Sequence, residues 1–269
     1  MIPAPFEYRR ATDLDQATLL LRELGPEAKV LAGGHSLIPL MRLRLAQPSA
    51  LVDIGRIPGL TSITVQGDRL HIGALVRHCD LAGSQVVRRA LPLLAEMALE
   101  VGDLQVRARG TIGGAIAHAD SAGDYPTLAL MLDAEILTTH GSHPARGFFQ
   151  HLFTTPLQPD EVVRELVFPV APGPHRYIKF RRRRCDWAIV GAAAQRLGDS
   201  WRLGLTNVGP TPMRAARSEA VLAAGGTVTE AALEAADGLT PPTDIRASAD
   251  YRRHLARVLT RRALEQAAA

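Results

Sequence analysis

The residues best placed to do chemistry in this chain are small ones. The stretch Leu31-Ala32-Gly33-Gly34-His35-Ser36-Leu37-Ile38-Pro39 ends an apolar run on two glycines, followed by a hydroxyl. Glycines remove the Cβ atoms that would block a ligand, and Ser36 stands where a helix can begin, so backbone N–H groups in the turn can point at an anion. A second stretch, Gly110-Thr111-Ile112-Gly113-Gly114, again sets a hydroxyl and small residues beside paired glycines. Together they read as a phosphate cradle that grips one long ligand twice. A single Gly-Gly is more often only a turn. Neither stretch matches the G-x-G-x-x-G dinucleotide fingerprint or the G-x-x-x-x-G-K-[ST] phosphate loop, which weakens simple Rossmann and P-loop readings.

Other reactive side chains point to less. His35, His118 and the pair His140/His143 invite a metal or general-base reading, but no carboxylate or cysteine stands at ligand spacing to support it. Cys79 and Cys185 have no C-x-x-C partner, so neither a disulfide framework nor a protein-ligated iron–sulfur or zinc site is implied. Any metal redox centre would therefore sit on a partner. The run Arg181-Arg182-Arg183-Arg184 contributes to a net charge of +4, which tempts a nucleic-acid reading. Against it, aromatics make up only 4% of the chain and no aromatic-interleaved basic sheet recurs. A solvated edge, a phosphate contact or a subunit interface suits those arginines better.

The elements that must hold these residues can be read from spacing. At 269 residues and 46% hydrophobic, the chain has room for about two domains and a sizeable core. Its first residues lack the basic start and apolar run of a signal peptide, and no apolar stretch approaches a membrane span, so the expected location is cytoplasmic. A strand near residues 6–8 leads to a helix, with Asp13 and Gln16 at capping-box spacing and Gly25-Pro26 as its stop. A strand around 29–32 then delivers the first glycine stretch. Residues 37–45 read as a helix with Pro39 in its first turn, and 51–54 as a buried strand.

From Gly59 the pattern changes to a hairpin, 63–65 and 70–72 about Gly67-Asp68. Helices follow over 80–90, 92–100 and 127–132, and strands over 135–139 and 162–168. Pro169-Val170-Ala171-Pro172-Gly173-Pro174 reads as a linker. Beyond it come strands at 177–180, 188–197 and 201–205, then helices at 218–224, 229–236 and 250–265, as in a small α+β domain.

These residues resemble a known family, the FAD-binding medium subunits of molybdenum hydroxylases of the carbon monoxide dehydrogenase and xanthine dehydrogenase kind. Ala32-Gly33-Gly34-His35-Ser36-Leu37-Ile38-Pro39-Leu40-Met41 resembles the family's first flavin motif. Arg109-Gly110-Thr111-Ile112-Gly113-Gly114 with His118-Ala119-Asp120 resembles its second. Leu51-Val52-Asp53-Ile54, Leu152-Phe153-Thr154-Thr155, Lys179-Phe180, Asp186-Trp187-Ala188 and Val208-Gly209-Pro210-Thr211-Pro212 also resemble family stretches, so the likeness spans essentially the whole chain. It departs at His35 (usually Gln), Ala115 (usually Asn, one side-chain hydrogen bond fewer), Ser121 and Gly123 (more commonly Pro and Ala) and Cys185 (usually Gly).

The resemblance implies an α+β fold: a two-lobed FAD-binding domain of the vanillyl-alcohol-oxidase-like (PCMH) type, then a C-terminal domain with a three-stranded antiparallel sheet and helices. The domains would span 1–176, with lobes at about 1–57 and 58–176, and 177–269. It also implies FAD held by Leu31, Ala32, Gly33, Gly34, His35, Ser36, Leu37, Thr111, Ile112, Gly113, Gly114, Ala115 and His118, with pyrophosphate on the glycine stretches. Asp124 would lie on the adenosine side and Trp187 near the isoalloxazine. A small partner would carry two [2Fe–2S] clusters and a large one molybdopterin, in a dimer of heterotrimers that is cytoplasmic or peripheral at the inner membrane face. This chain would pass electrons through FAD to an external acceptor, with no general acid or base of its own. Two rivals stay open: a stand-alone FAD-dependent reductase or oxidase of the same fold, and a scaffold that has lost flavin, for which Ala115 is the hint.

Overall fold

Three sheets, each with its own buried core, organise residues 2–269, the residues described by a computed structural model. In the first lobe β1 (Glu7–Arg10) precedes α1 (Leu14–Leu24). The carboxylate of Asp13 accepts from Gln16 N at 2.8 Å, and Gln16 Oε1 accepts in return from Thr12 N at 2.7 Å, one residue earlier than a standard capping box. Gly25, at φ 80°, ends the helix. β2 (Ala28–Leu31), α2 (Leu37–Arg42) and β3 (Ala50–Asp53) follow. The order β1-β3-β2 is all parallel, which leaves β2 at an edge. The first glycine stretch leaves the carboxyl end of that edge strand, where open parallel sheets place their ligands.

The second lobe begins with the hairpin of β4 (Ile63–Gln66) and β5 (Arg69–Gly73), turned at Gly67. The helix expected over 80–90 is two, α3 (His78–Gly83) and α4 (Gln85–Ala90). Ser84 separates them: it is extended, and its hydroxyl caps the second helix by accepting from Val87 N. α5 (Pro92–Leu99), α6 (Leu104–Arg109), α7 (Ile112–His118) and α8 (Asp124–Met131) follow in short turns. β6 (Glu135–Thr138), β7 (Ser142–Pro144) and β8 (Val163–Pro169) complete an antiparallel sheet of order β4-β5-β8-β6-β7. β7, three residues long, has too little alternation to be seen in sequence.

The C-terminal sheet contains β9 (His175–Phe180), β10 (Val190–Leu197), β11 (Ser200–Thr206) and β12 (Met213–Arg214) in the order β12-β11-β10-β9. It therefore has four strands, not the three expected. The extra strand is two residues long and follows two prolines, which donate nothing to a ladder. Helices α9 (Ala216–Ala223), α10 (Val228–Glu234) and α11 (Ala249–Ala268) cover one face of the sheet.

The other face of this sheet packs on the second lobe. Ala192 and Ala194 of β10 belong to the core under α11, whereas Ala193 joins the core of the second lobe. A Cβ on Gly204 would sit 2.7 Å from Thr127 Cγ2 of α8, so the small residues of these strands allow both layers to close. The proline-rich segment before β9 is not a free linker. Val170 N donates to Asp68 O, Ala171 N to Ala90 O, and Pro174 O accepts from Arg196 N. β9 starts at His175, so that strand straddles the boundary read at 176/177.

Candidate functional site

The two glycine stretches touch. A Cβ built on Gly33 would lie 2.4 Å from Arg109 O and 2.8 Å from Gly110 Cα, closer than any side chain allows. Gly34 takes φ 75° in the same turn. The N–H groups of Gly33, Gly34, His35 and Ser36 donate to no backbone carbonyl among the described residues. Ser36 holds the N-cap position of α2, yet its hydroxyl makes no capping bond. Successive unpaired N–H groups and an uncommitted hydroxyl suit a phosphate anion, so the cradle read from sequence fits this stretch.

The second stretch also lines the cleft, but from a helix start. Its paired glycines are the second and third residues of α7, and their N–H groups are already committed. Gly113 N donates to Ala74 O at 2.9 Å, Gly114 N to Thr111 Oγ1 at 3.2 Å, and Ala115 N to Thr111 O at 3.0 Å. Thr111 is thus the N-cap of α7; its oxygen accepts from Gly114 N, which leaves its own O–H to donate into the cleft it lines. The glycines here permit close packing: a Cβ on Gly113 would meet Ala74 Cβ at 2.5 Å. Ile112 is fully buried in the core of the second lobe and is the one predicted contact outside the cleft lining.

A cavity of about 750 Å³ opens along this junction. Leu31, Ala32, Gly33, Gly34, His35, Ser36, Leu37, Thr111, Gly113, Gly114, Ala115, His118, Asp124 and Trp187 line it, so the fold brings together every predicted site residue except Ile112. Trp187, half-exposed, comes from the C-terminal domain together with Cys185 and Asp186. His118 stacks on Phe153 with ring centroids 4.8 Å apart, and burial lowers its pKa. Of the arginine run, Arg181 pairs with Glu100 at 2.5 Å, while Arg182, Arg183 and Arg184 are exposed.

Asp124, which lines the cleft, is also held by the protein itself. It is buried at the start of α8, with one protein donor on each oxygen: Tyr177 OH donates to Oδ1, and Lys179 Nζ lies 2.8 Å from Oδ2. Lys179 also donates to Glu100 O at 3.0 Å and is almost wholly buried. The carboxylate read as a ribose or adenine acceptor is also an ion-pair partner of β9, with one donor on each oxygen and lone pairs left for another. Lys179 and His78, both lining the cleft, escaped the site prediction. Lys179 stood inside a quoted family stretch, which was its only signal.

Burial, with His35 and Arg107 nearby, pushes the His78 pKa down to about 4, so its ring is neutral at physiological pH. A further wall is set by Glu161, a buried carboxylate that accepts from Gln158 N at 3.0 Å and meets His143 Nε2 at 2.7 Å. Burial pushes the Glu161 pKa up, but bonds from Thr138, Gln158 and His143 outweigh it and hold the group below the ordinary carboxylate range. Among the described residues, no group of three or more His, Cys, Asp or Glu side chains is arranged to hold a metal ion.

Residues 4–171 match the family described as the FAD binding domain in molybdopterin dehydrogenase, and residues 175–267 the CO dehydrogenase flavoprotein C-terminal domain. The chain belongs to this flavoprotein family. It is 40% identical to the carbon monoxide dehydrogenase medium chain of Hydrogenophaga pseudoflava, over 99% of this chain and 98% of that one. Among solved structures it resembles carbon monoxide dehydrogenase from the same organism, crystallised without the Mo-pyranopterin moiety of its cofactor, with a TM-score of 0.94 and 41% identity over 99% of this chain and 98% of that one. Quinoline 2-oxidoreductase from Pseudomonas putida 86 is similar at a TM-score of 0.93 and 32% identity, covering 100% and 99% of the two chains. These relatives make the chain an oxidoreductase subunit of the molybdenum hydroxylase type.

Proposed function

We propose that this chain is the FAD-binding medium subunit of a heterotrimeric molybdenum hydroxylase, passing electrons from [2Fe–2S] clusters on a small subunit to an external acceptor. A large subunit would carry molybdopterin and oxidise the substrate. The observation that carries the reading is the cleft itself: a row of unpaired N–H groups at residues 33–36, closed against the second glycine stretch by backbone contact at Gly33. When bound, FAD supplies a centre that accepts and releases electrons.

The chain's own residues bind and orient. The first stretch receives the pyrophosphate, Gly113 and Gly114 bring α7 close enough to form the opposite wall, and Trp187 covers the side contributed by the C-terminal domain. Lys179 places a buried cation at the cleft, balanced by Asp124. No helix among the described residues is long and apolar enough to cross a membrane, which is compatible with a cytoplasmic complex or one peripheral to the inner face. The division into domains is proposed at the pinned segment 169–174, ahead of β9. A dimer of heterotrimers is the proposed assembly.

Affinity isolation of this chain from its native host, followed by analysis of flavin, iron and molybdenum, tests the reading. Two partners with all three cofactors are expected. A lone flavin-containing protein would instead favour a stand-alone reductase or oxidase.

A further inference from the structure

The segment that brings Cys185, Asp186 and Trp187 to the cleft is held from behind by a side chain that does not line the cleft. Arg252, on α11, is wholly buried. Its Nη1 donates to Ile189 O and, at 3.5 Å, to Asn207 O, while Nη2 lies 2.8 Å from Asp244 Oδ2. Its Nε has no partner among the described residues. A buried guanidinium is a poor stabiliser, since an apolar side chain of similar volume commonly serves the fold as well or better. Its geometry offers another use.

The two carbonyls it holds lie behind two segments that line the cleft. Ile189 follows Trp187 by two residues. Asn207, at φ 60°, donates from Nδ2 to Ala188 O at 2.6 Å and from its backbone N to Ser121 O at 2.9 Å. Ser121 lies in the strap that leads to Asp124. One arginine therefore clamps both the stem of Trp187 and the joint that meets that strap. We infer that Arg252 is a positioning residue of the cleft, acting through Ile189 O and Asn207 to set the Trp187 wall against bound flavin. The inference rests on the FAD reading above.

The test uses the full chain carrying Trp201→Phe, so that Trp187 is the reporting tryptophan. Three variants are compared with this parent. Arg252→Met removes the donors at similar length, Arg252→Lys keeps a cation, and Asn207→Gly suits the left-handed backbone while removing the side chain that holds Ala188 O, the second link of the relay. Acrylamide quenching of Trp187 is measured without FAD. Flavin visible circular dichroism, midpoint potential and Kd are measured with it.

Arg252→Met and Asn207→Gly are expected to leave far-UV circular dichroism unchanged, to raise Trp187 quenching and to displace the flavin spectrum and potential. The Kd for FAD should rise about tenfold, the effect of roughly one lost buried hydrogen bond, and Arg252→Lys should recover part of each change. If Arg252→Met does not fold, Arg252→Lys, which keeps the cation but loses the fork that reaches both carbonyls, decides by the same readouts. Folded variants that match the parent in Trp187 quenching and flavin potential, even with a lower melting temperature, overturn the inference. A parent that binds no FAD overturns the proposed function instead, and Trp187 quenching alone then decides for or against the clamp.

Discussion

At the scale of single residues, one methyl group is enough to separate the two glycine stretches. In Gly33→Ala the new Cβ would meet Arg109 O and Gly110 Cα, both backbone atoms that cannot rotate away. Overpacking of this kind costs about 1–3 kcal/mol, so FAD affinity should fall about tenfold or more, measured by flavin fluorescence titration. An unchanged affinity would mean that the contact is irrelevant to the ligand. His78 supplies a pH dependence. In the unfolded chain its ring takes a proton near pH ~6.5, whereas in the fold it does so only near pH 4. Between those values the unfolded state binds more protons, so stability is full above the window and falls as pH drops through it, by up to about 3 kcal/mol. Urea unfolding at about pH 7.5 and about pH 4.5 should show this loss in the parent and much less of it in His78→Gln. Equal losses in both proteins would locate the titration elsewhere.

At the scale of elements, the pair between Asp124 on α8 and Lys179 on β9 joins the FAD-binding domain to the C-terminal sheet. Removing one partner leaves a buried charge, so Lys179→Met should destabilise the chain by about 3–5 kcal/mol, and Lys179→Met with Asp124→Asn by less than Lys179→Met alone. Chemical denaturation checks both, and a fully additive double variant would show that the pair is not coupled. This contact also marks the limit of what the sequence discloses. Caps were legible because they are local: Asp13 and Gly25 bound α1 as their types demand. The partners of Asp124 stand 53 and 55 positions away, and no local pattern announces them. The split at Ser84 and the short strands β7 and β12 were missed for a related reason, since each is decided by a few residues and their tertiary neighbours.

At the scale of the molecule, the cleft lies where three units meet. The parallel edge of the first lobe supplies the free N–H row, α7 and α8 of the second lobe supply the opposite wall, and the C-terminal sheet contributes Lys179 and Trp187. Glycine composition made two of these walls readable in advance, because close approach leaves a residue-type signature. What each wall does was less readable. The second stretch looked like a repeat of the first, but Gly113 N–H donates to Ala74 O and Gly114 N–H to Thr111 Oγ1, a difference that depends on helix register rather than composition.

The most direct test is the flavin content of the native complex, with FAD released by acid and quantified against the amount of this chain. One FAD per chain in a complex that also contains iron and molybdenum is the expected result. A complex with its partners and metals in place but no flavin bound to this chain would contradict its assignment as the FAD-bearing relay subunit.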